Sequence, residues 1–178
     1  MKLYSKSNTS IVLRNKKDAA TIVTKDDDYM NHLSIFDLQA RLKTKKKDVT
    51  VKKYKDVLVK ELLDWDDITK SYMNSAMKEL NKVLKDNASL FGIFSFPNEI
   101  NVIASLSSTE NGASYTRHKD TIVLSINMIT GKRITLVKTL LHELFHILSK
   151  NNKDLRDRLY GLINYQLHPS VKPLIFPK

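Results

Sequence analysis

Apolar residues fall at helical spacing through much of the first half of the chain and again near its end, with a strand-like stretch between. Ser34 stands where an N-cap belongs ahead of Ile35, Phe36, Leu38 and Leu42. Thr50 does the same ahead of Tyr54, Val57, Leu58 and Leu62. Asp64 followed by Asp67 reads as an acidic capping box opening a long helix with Met73, Ala76, Met77, Leu80 and Leu84 on one face. After Asn87 the pattern turns to β-branched and aromatic runs. Leu90 to Phe96, ending at Pro97, and Ile100 to Leu106 are predicted strands, and Ser107 to Gly112 is a polar turn. Ala113 to Arg117 and Thr121 to Ile126 flank His118-Lys119-Asp120 as a hairpin. Thr135 to Lys150 and Asp154 to Leu167 are two helical runs whose link, Asn151-Asn152, is short enough to make them antiparallel neighbours.

Residues 1–28 mix Lys, Ser, Asn and three consecutive aspartates around Ile11, Val12 and Leu13, the composition of a poorly ordered arm. Pro169, Pro173 and Pro177 make 169–178 an extended tail, leaving 29–168 as a single domain. The expected fold is α+β: N-terminal helices on a small, mostly antiparallel sheet, then two antiparallel helices.

Composition narrows the chemistry. The 178 residues contain no cysteine, which excludes a disulfide framework, a cysteine nucleophile and thiolate metal ligation, so a metal falls to His, Asp or Glu. The net charge of +11 raises a nucleic-acid or anionic-surface partner, with the densest basic stretch from Arg41 to Lys60. Most of the excess is lysine and no base-reading motif accompanies it, so a solvated basic surface is the preferred account. No run approaches the roughly 20 apolar residues of a membrane span, and no leader is visible after Met1, so the expected location is the cytoplasm.

The chemistry concentrates at His142-Glu143-Leu144-Phe145-His146, an HExxH match inside an otherwise apolar helical run. Residues four apart lie on one face of a helix on successive turns, so the two imidazoles can converge on one zinc ion. Glu143 stands about 100° round the helix from His142, beside the ligands, where its carboxylate can take a proton from the attacking water. Burying two histidines and a glutamate mid-helix is costly unless something pairs with them. The bland alternative is a hydrogen-bonded histidine pair on a packed helix.

The segment LLHELFHILSKNN, preceded by the hairpin ENGASYTRHKDTIVLS, resembles the zincin metallopeptidases, and the stretch from Ser34 to Leu167 is similar to a group of bacterial zincin-like peptidases. The resemblance implies His142 and His146 as zinc ligands, Glu143 as catalytic base, and a strand before the motif helix that edges the cleft and holds an extended peptide. Ser114, Tyr115, Thr116 and Arg117 sit in that strand.

The third ligand is open. Ser149 and Asn152 stand where the metzincin pattern needs Gly and His, and no glutamate follows Glu143. The candidates are Asp157, Asp154, His168 and the upstream Glu110. Asp157 leads, because Asp157-Arg158-Leu159-Tyr160-Gly161 resembles the DxxYG end of the aspzincin motif. The other account of Asp157 is a first-turn acid favoured by the helix dipole. Tyr160 is a candidate oxyanion donor or a packing residue, Trp65 an anchor between helices, and His32 and His118 surface histidines. The expected function is zinc-dependent peptide hydrolysis. The competing class is a non-catalytic interaction module: a degenerate peptidase scaffold or a basic nucleic-acid binder.

Overall fold

The computed structural model describes residues 1–91 and 94–165. In chain order these form β1 (Ser10–Leu13), α1 (Lys16–Val23), α2 (Asp28–Asn31), α3 (Ile35–Arg41), α4 (Val51–Glu61), β2 (Leu62–Leu63), α5 (Asp67–Asp86) and α6 (Ala88–Phe91). Then follow β3 (Glu99–Ser105), a 3-10 turn (Ser108–Glu110), β4 (Tyr115–Arg117), β5 (Thr121–Ser125), α7 (Ile126–Ile129), α8 (Arg133–Asn151) and α9 (Lys153–Leu162). His168 and the expected tail at 169–178 lie outside the described residues.

The class is α+β, but the sheet is mixed rather than mostly antiparallel. Its order is β1-β3-β5-β4, with β2 also pairing β3. β3 is parallel to both β1 and β5, while β4 is antiparallel to β5 and β2 to β3. The hairpin over 113–126 forms as expected, yet its second strand lies inside the sheet and its first at the edge. Every residue of β5 is buried, with Ile122 and Leu124 on one face and Val123 on the other. A strand apolar on both faces belongs at the centre of a sheet covered on both sides.

Two cores cover those sides. Met73, Met77, Leu80 and Leu84 of α5 and Val137, Leu140, Leu144 and Ile147 of α8 pack with Ile100, Val102, Ile122 and Leu124. Ala19, Val23, Leu38, Tyr54 and Leu58, from α1, α3 and α4, pack with Ile103 and Val123. The central strands β3 and β5 thus split their residues between the two layers, as a period of two demands.

Several local expectations are corrected. Residues 1–28 are built into the fold: β1 runs parallel to Glu99–Val102, the Met1 ammonium donates to the Ile11 carbonyl at 2.9 Å, and Leu3 and Ile11 are buried. Local charge hid this, because so short an apolar patch gains its stabilisation only from distant partners. The cap of α5 is Asp66, which accepts from the Thr69 amide at 2.7 Å, while Asp64 accepts from the Lys16 amide at 2.7 Å. Among the described residues of the stretch from Leu90 to Phe96 there is no strand: Leu90 and Phe91 close α6, and residues 94–96 are irregular. The caps at Ser34 and Thr50, by contrast, are in place, the former as a capping box with Asp37.

No helix among the described residues is long and apolar enough to cross a membrane.

Candidate metal centre

α8 carries the HExxH residues. Its apolar stripe is held by α5 and the sheet, which leaves the remaining face beside the edge strand β4. His142 is exposed, His146 half-buried and Glu143 buried. The two imidazoles turn toward each other, with Nε2 atoms 3.0 Å apart, ring centroids 4.6 Å apart and planes near perpendicular at 85°. Two nitrogens bound to one tetrahedral zinc at about 2.0 to 2.1 Å lie roughly 3.3 Å from each other. The pair therefore fits the bite of that ion.

Burial holds the His146 imidazole below the ordinary histidine range. The Glu143 carboxylate pulls the other way, while His142 and Lys150 push down with burial. The net effect favours the neutral ring, which is the form that ligates a metal.

Glu143 is held from the sheet. Thr116 on β4 lies opposite Ile122 and so faces α8, and its hydroxyl donates to Glu143 Oε2 at 2.7 Å. Lys150, one turn beyond His146, donates from Nζ to the Thr116 carbonyl at 3.1 Å. Partial burial lowers the affinity of this amine for its proton, against the pull of Glu143. Ala113, Ser114, Met128 and Thr139 join His142 and Glu143 around a cleft of about 410 Å³. Of the strand residues expected at the cleft, Ser114 lines it and Thr116 anchors the Glu143 carboxylate. Tyr115 and Arg117 face the other layer, where Tyr115 packs on the second core and Arg117 pairs with Asp27 at 2.8 Å.

Of the third-ligand candidates, the three among the described residues, Asp157, Asp154 and Glu110, are not brought to the pair. Asp157 accepts from Arg156 at 2.8 Å and its side chain is 55% exposed. Asp154 borders a separate surface hollow with Lys119 and Arg158. Glu110 is ion-paired with Arg41 and accepts from the Tyr54 hydroxyl at 3.2 Å. Among the described residues, no three His, Asp or Glu side chains converge as a metal site. α9 does turn back along α8, with Leu155 packed on the core and Leu159 beside Leu144 and Leu148, but that docking directs its leucines inward rather than Asp157. The Tyr160 ring lies 6.3 Å from that of Tyr165.

Three features around the site go beyond the HExxH pattern. Thr116 as the partner of Glu143 is a cross-element contact with no local signature. Lys150 was legible, since it continues the His142, His146 spacing by four more residues. His118 is tied down, its ring bonding to the Ile22 carbonyl at 3.0 Å and Asp27 at 3.1 Å, and its backbone takes φ of 55° in the hairpin turn. In the basic stretch, Arg41, Lys53 and Lys55 are each paired with a carboxylate, which reduces the free charge it presents.

Comparison with protein-family models, with curated proteins and with solved structures found no match for this chain.

Proposed function

We propose that the protein is a zinc-dependent peptidase, with His142 and His146 holding the ion and Glu143 as general base and acid. The observation that carries this reading is the convergence of the two Nε2 atoms at 3.0 Å beside a buried carboxylate fixed by Thr116. Zinc, when bound, supplies Lewis acidity that makes water nucleophilic near neutral pH. Glu143 accepts the proton that water loses as it attacks the peptide carbonyl, then passes it to the departing amine. Thr116 occupies one carboxylate oxygen and leaves the other for that transfer. β4 pairs on one side only among the described residues, so its outer edge can receive an extended peptide.

Metal analysis and peptide hydrolysis test the reading together. Near one zinc per chain, with hydrolysis abolished by a chelator, supports it. A metal-free chain with tight, salt-sensitive nucleic-acid binding supports the interaction module instead. Glu143→Gln should retain zinc and lose turnover by roughly 10²- to 10⁴-fold, the worth of positioned proton transfer. His146→Ala should lose the metal. Asp157→Ala should keep it, because that carboxylate is engaged by Arg156. Loss of zinc in that variant would restore Asp157 as third ligand.

A further inference from the structure

A second cavity, of about 640 Å³, opens at the outer edge of β4 beside the C-terminal part of α8. Five Lys and Arg side chains line it against three carboxylates. Two of those acids are already engaged: Glu110 by Arg41, and Asp27 by Arg117 and His118. Lys119 and Lys150 form no ion pair among the described residues. The wall is therefore cationic in excess.

Arg117 is the most informative residue in it. Only 6% of the residue is exposed, Asp27 takes a single N–H, and Nε has no hydrogen-bond partner. A guanidinium carries five N–H donors, and leaving some unpaired in a buried site is costly. The Tyr29 ring, 4.2 Å from the guanidinium carbon, covers one face without accepting a conventional hydrogen bond. A carboxylate entering the cavity would meet the terminal nitrogens of the guanidinium, of whose N–H groups Asp27 takes one, with charge-assisted bonds.

The location ties the cavity to the histidine pair. His142, His146 and Lys150 recur every four residues and so share one stripe of α8 on successive turns. Lys150 reaches the carbonyl of the same Thr116 whose hydroxyl holds Glu143. The cavity thus begins one helical turn past the second imidazole, along the open edge of β4.

We propose that this cavity is a carboxylate-binding subsite, in which Arg117, Lys119 and Lys150 seat an acidic side chain or the free C-terminus of a peptide lying along β4. The subsite takes its substrate class from the peptidase reading above. A concave site on a strand edge, with Asp28 in its wall, suits a peptide carboxylate better than a nucleic-acid backbone, which is bound by stripes of unopposed cations.

Binding separates this proposal from the peptidase reading. The probes are acetyl-(Ala-Glu)4-amide, acetyl-(Ala-Gln)4-amide and acetyl-(Ala-Gln)4 as the free acid, titrated calorimetrically at low salt into the full zinc-loaded Glu143→Gln chain. The Glu peptide should bind about tenfold tighter than the Gln amide, as charge-assisted pairing with several donors requires. Lys119 is exposed at the hairpin tip, so Lys119→Glu should fold normally and remove the preference, and Lys119→Arg should keep it. Tighter binding of the free acid alone would assign the subsite to a C-terminal carboxylate, and of the Glu peptide alone to acidic side chains. Equal affinity for all three probes, or a preference that survives Lys119→Glu, overturns the proposal. A dT12 oligonucleotide that outcompetes the Glu peptide and is weakened by Lys119→Glu overturns it too. Acidic-peptide binding without hydrolysis by the native chain leaves the subsite standing and removes the peptidase reading. Zinc-dependent hydrolysis without an acidic preference does the reverse.

Discussion

Thr116 and Glu143 are 27 positions apart, and the hydrogen bond between them orients the carboxylate proposed as the base. Thr116→Val keeps the β-branched shape that suits β4 and removes the donor. The expected outcome is a fall in kcat of roughly tenfold or more, since a hydrogen bond to a charged group contributes about 1.5 to 3 kcal/mol. Zinc content and the thermal midpoint should change little, and KM should move less than kcat. An unchanged kcat would mean that Glu143 is oriented by α8 alone. His142, Glu143 and His146 were legible from spacing because all three ride on one helix. Thr116 was not, because its role depends on which strand flanks that helix and which face it presents.

Among the elements, α3 offers the clearest link between a cap and pH. Ser34 Oγ donates to Asp37 Oδ2 at 2.6 Å, its amide donates to the same oxygen at 2.9 Å, and the Asp37 amide donates back to Ser34 Oγ. The hydroxyl first, then the amide, hold the Asp37 carboxyl below its ordinary value of 3.8. A carboxyl depressed in the folded state contributes stability that is present above its unfolded value and is lost as pH falls through the folded one. The acid loss should therefore begin below about pH 4. Asp37→Asn should flatten the Asp37 share of that decline in melts recorded from pH 5 to pH 2. Ser34→Ala should cost about 1 kcal/mol at neutral pH through the lost cap, and should make the acid decline shallower. A decline as steep as in the parent chain would show that the carboxyl does not depend on this box. The periodicity of α3, α4, α5 and α8 made these helices readable. The strand expected at 90–96 is not found among its described residues, because short apolar runs do not distinguish strand from helix or irregular chain without their neighbours.

At the scale of the molecule, β1 closes the sheet on the side opposite β4. Removing residues 1–14 would strip β3 of its parallel partner along Glu99–Val102, delete buried Leu3 and Ile11, and remove the Arg14 pairing with Glu99 and Asn101. The exposed β3 edge would then present unpaired backbone beside apolar residues, a template for association. The truncated chain is expected to lose a cooperative melt by circular dichroism and to form oligomers on gel filtration. A monomer melting within a few degrees of the full chain would return 1–14 to the status of an arm.

What the sequence determined by itself was what acts over a few residues: helix periodicity, the caps at Ser34 and Thr50, the 113–126 hairpin and the HExxH spacing. Each rests on the repeat of a helix or the geometry of a turn, which neighbours in the chain impose on one another. The tertiary structure decided which strand became central, which acids stayed away from the histidines and which cations gathered at the β4 edge. Those outcomes depend on burial between distant segments. β5 is central because both its faces are apolar, the first 28 residues are ordered because β3 offers an edge, and Asp157 stays with Arg156 because Leu155 and Leu159 set how α9 docks.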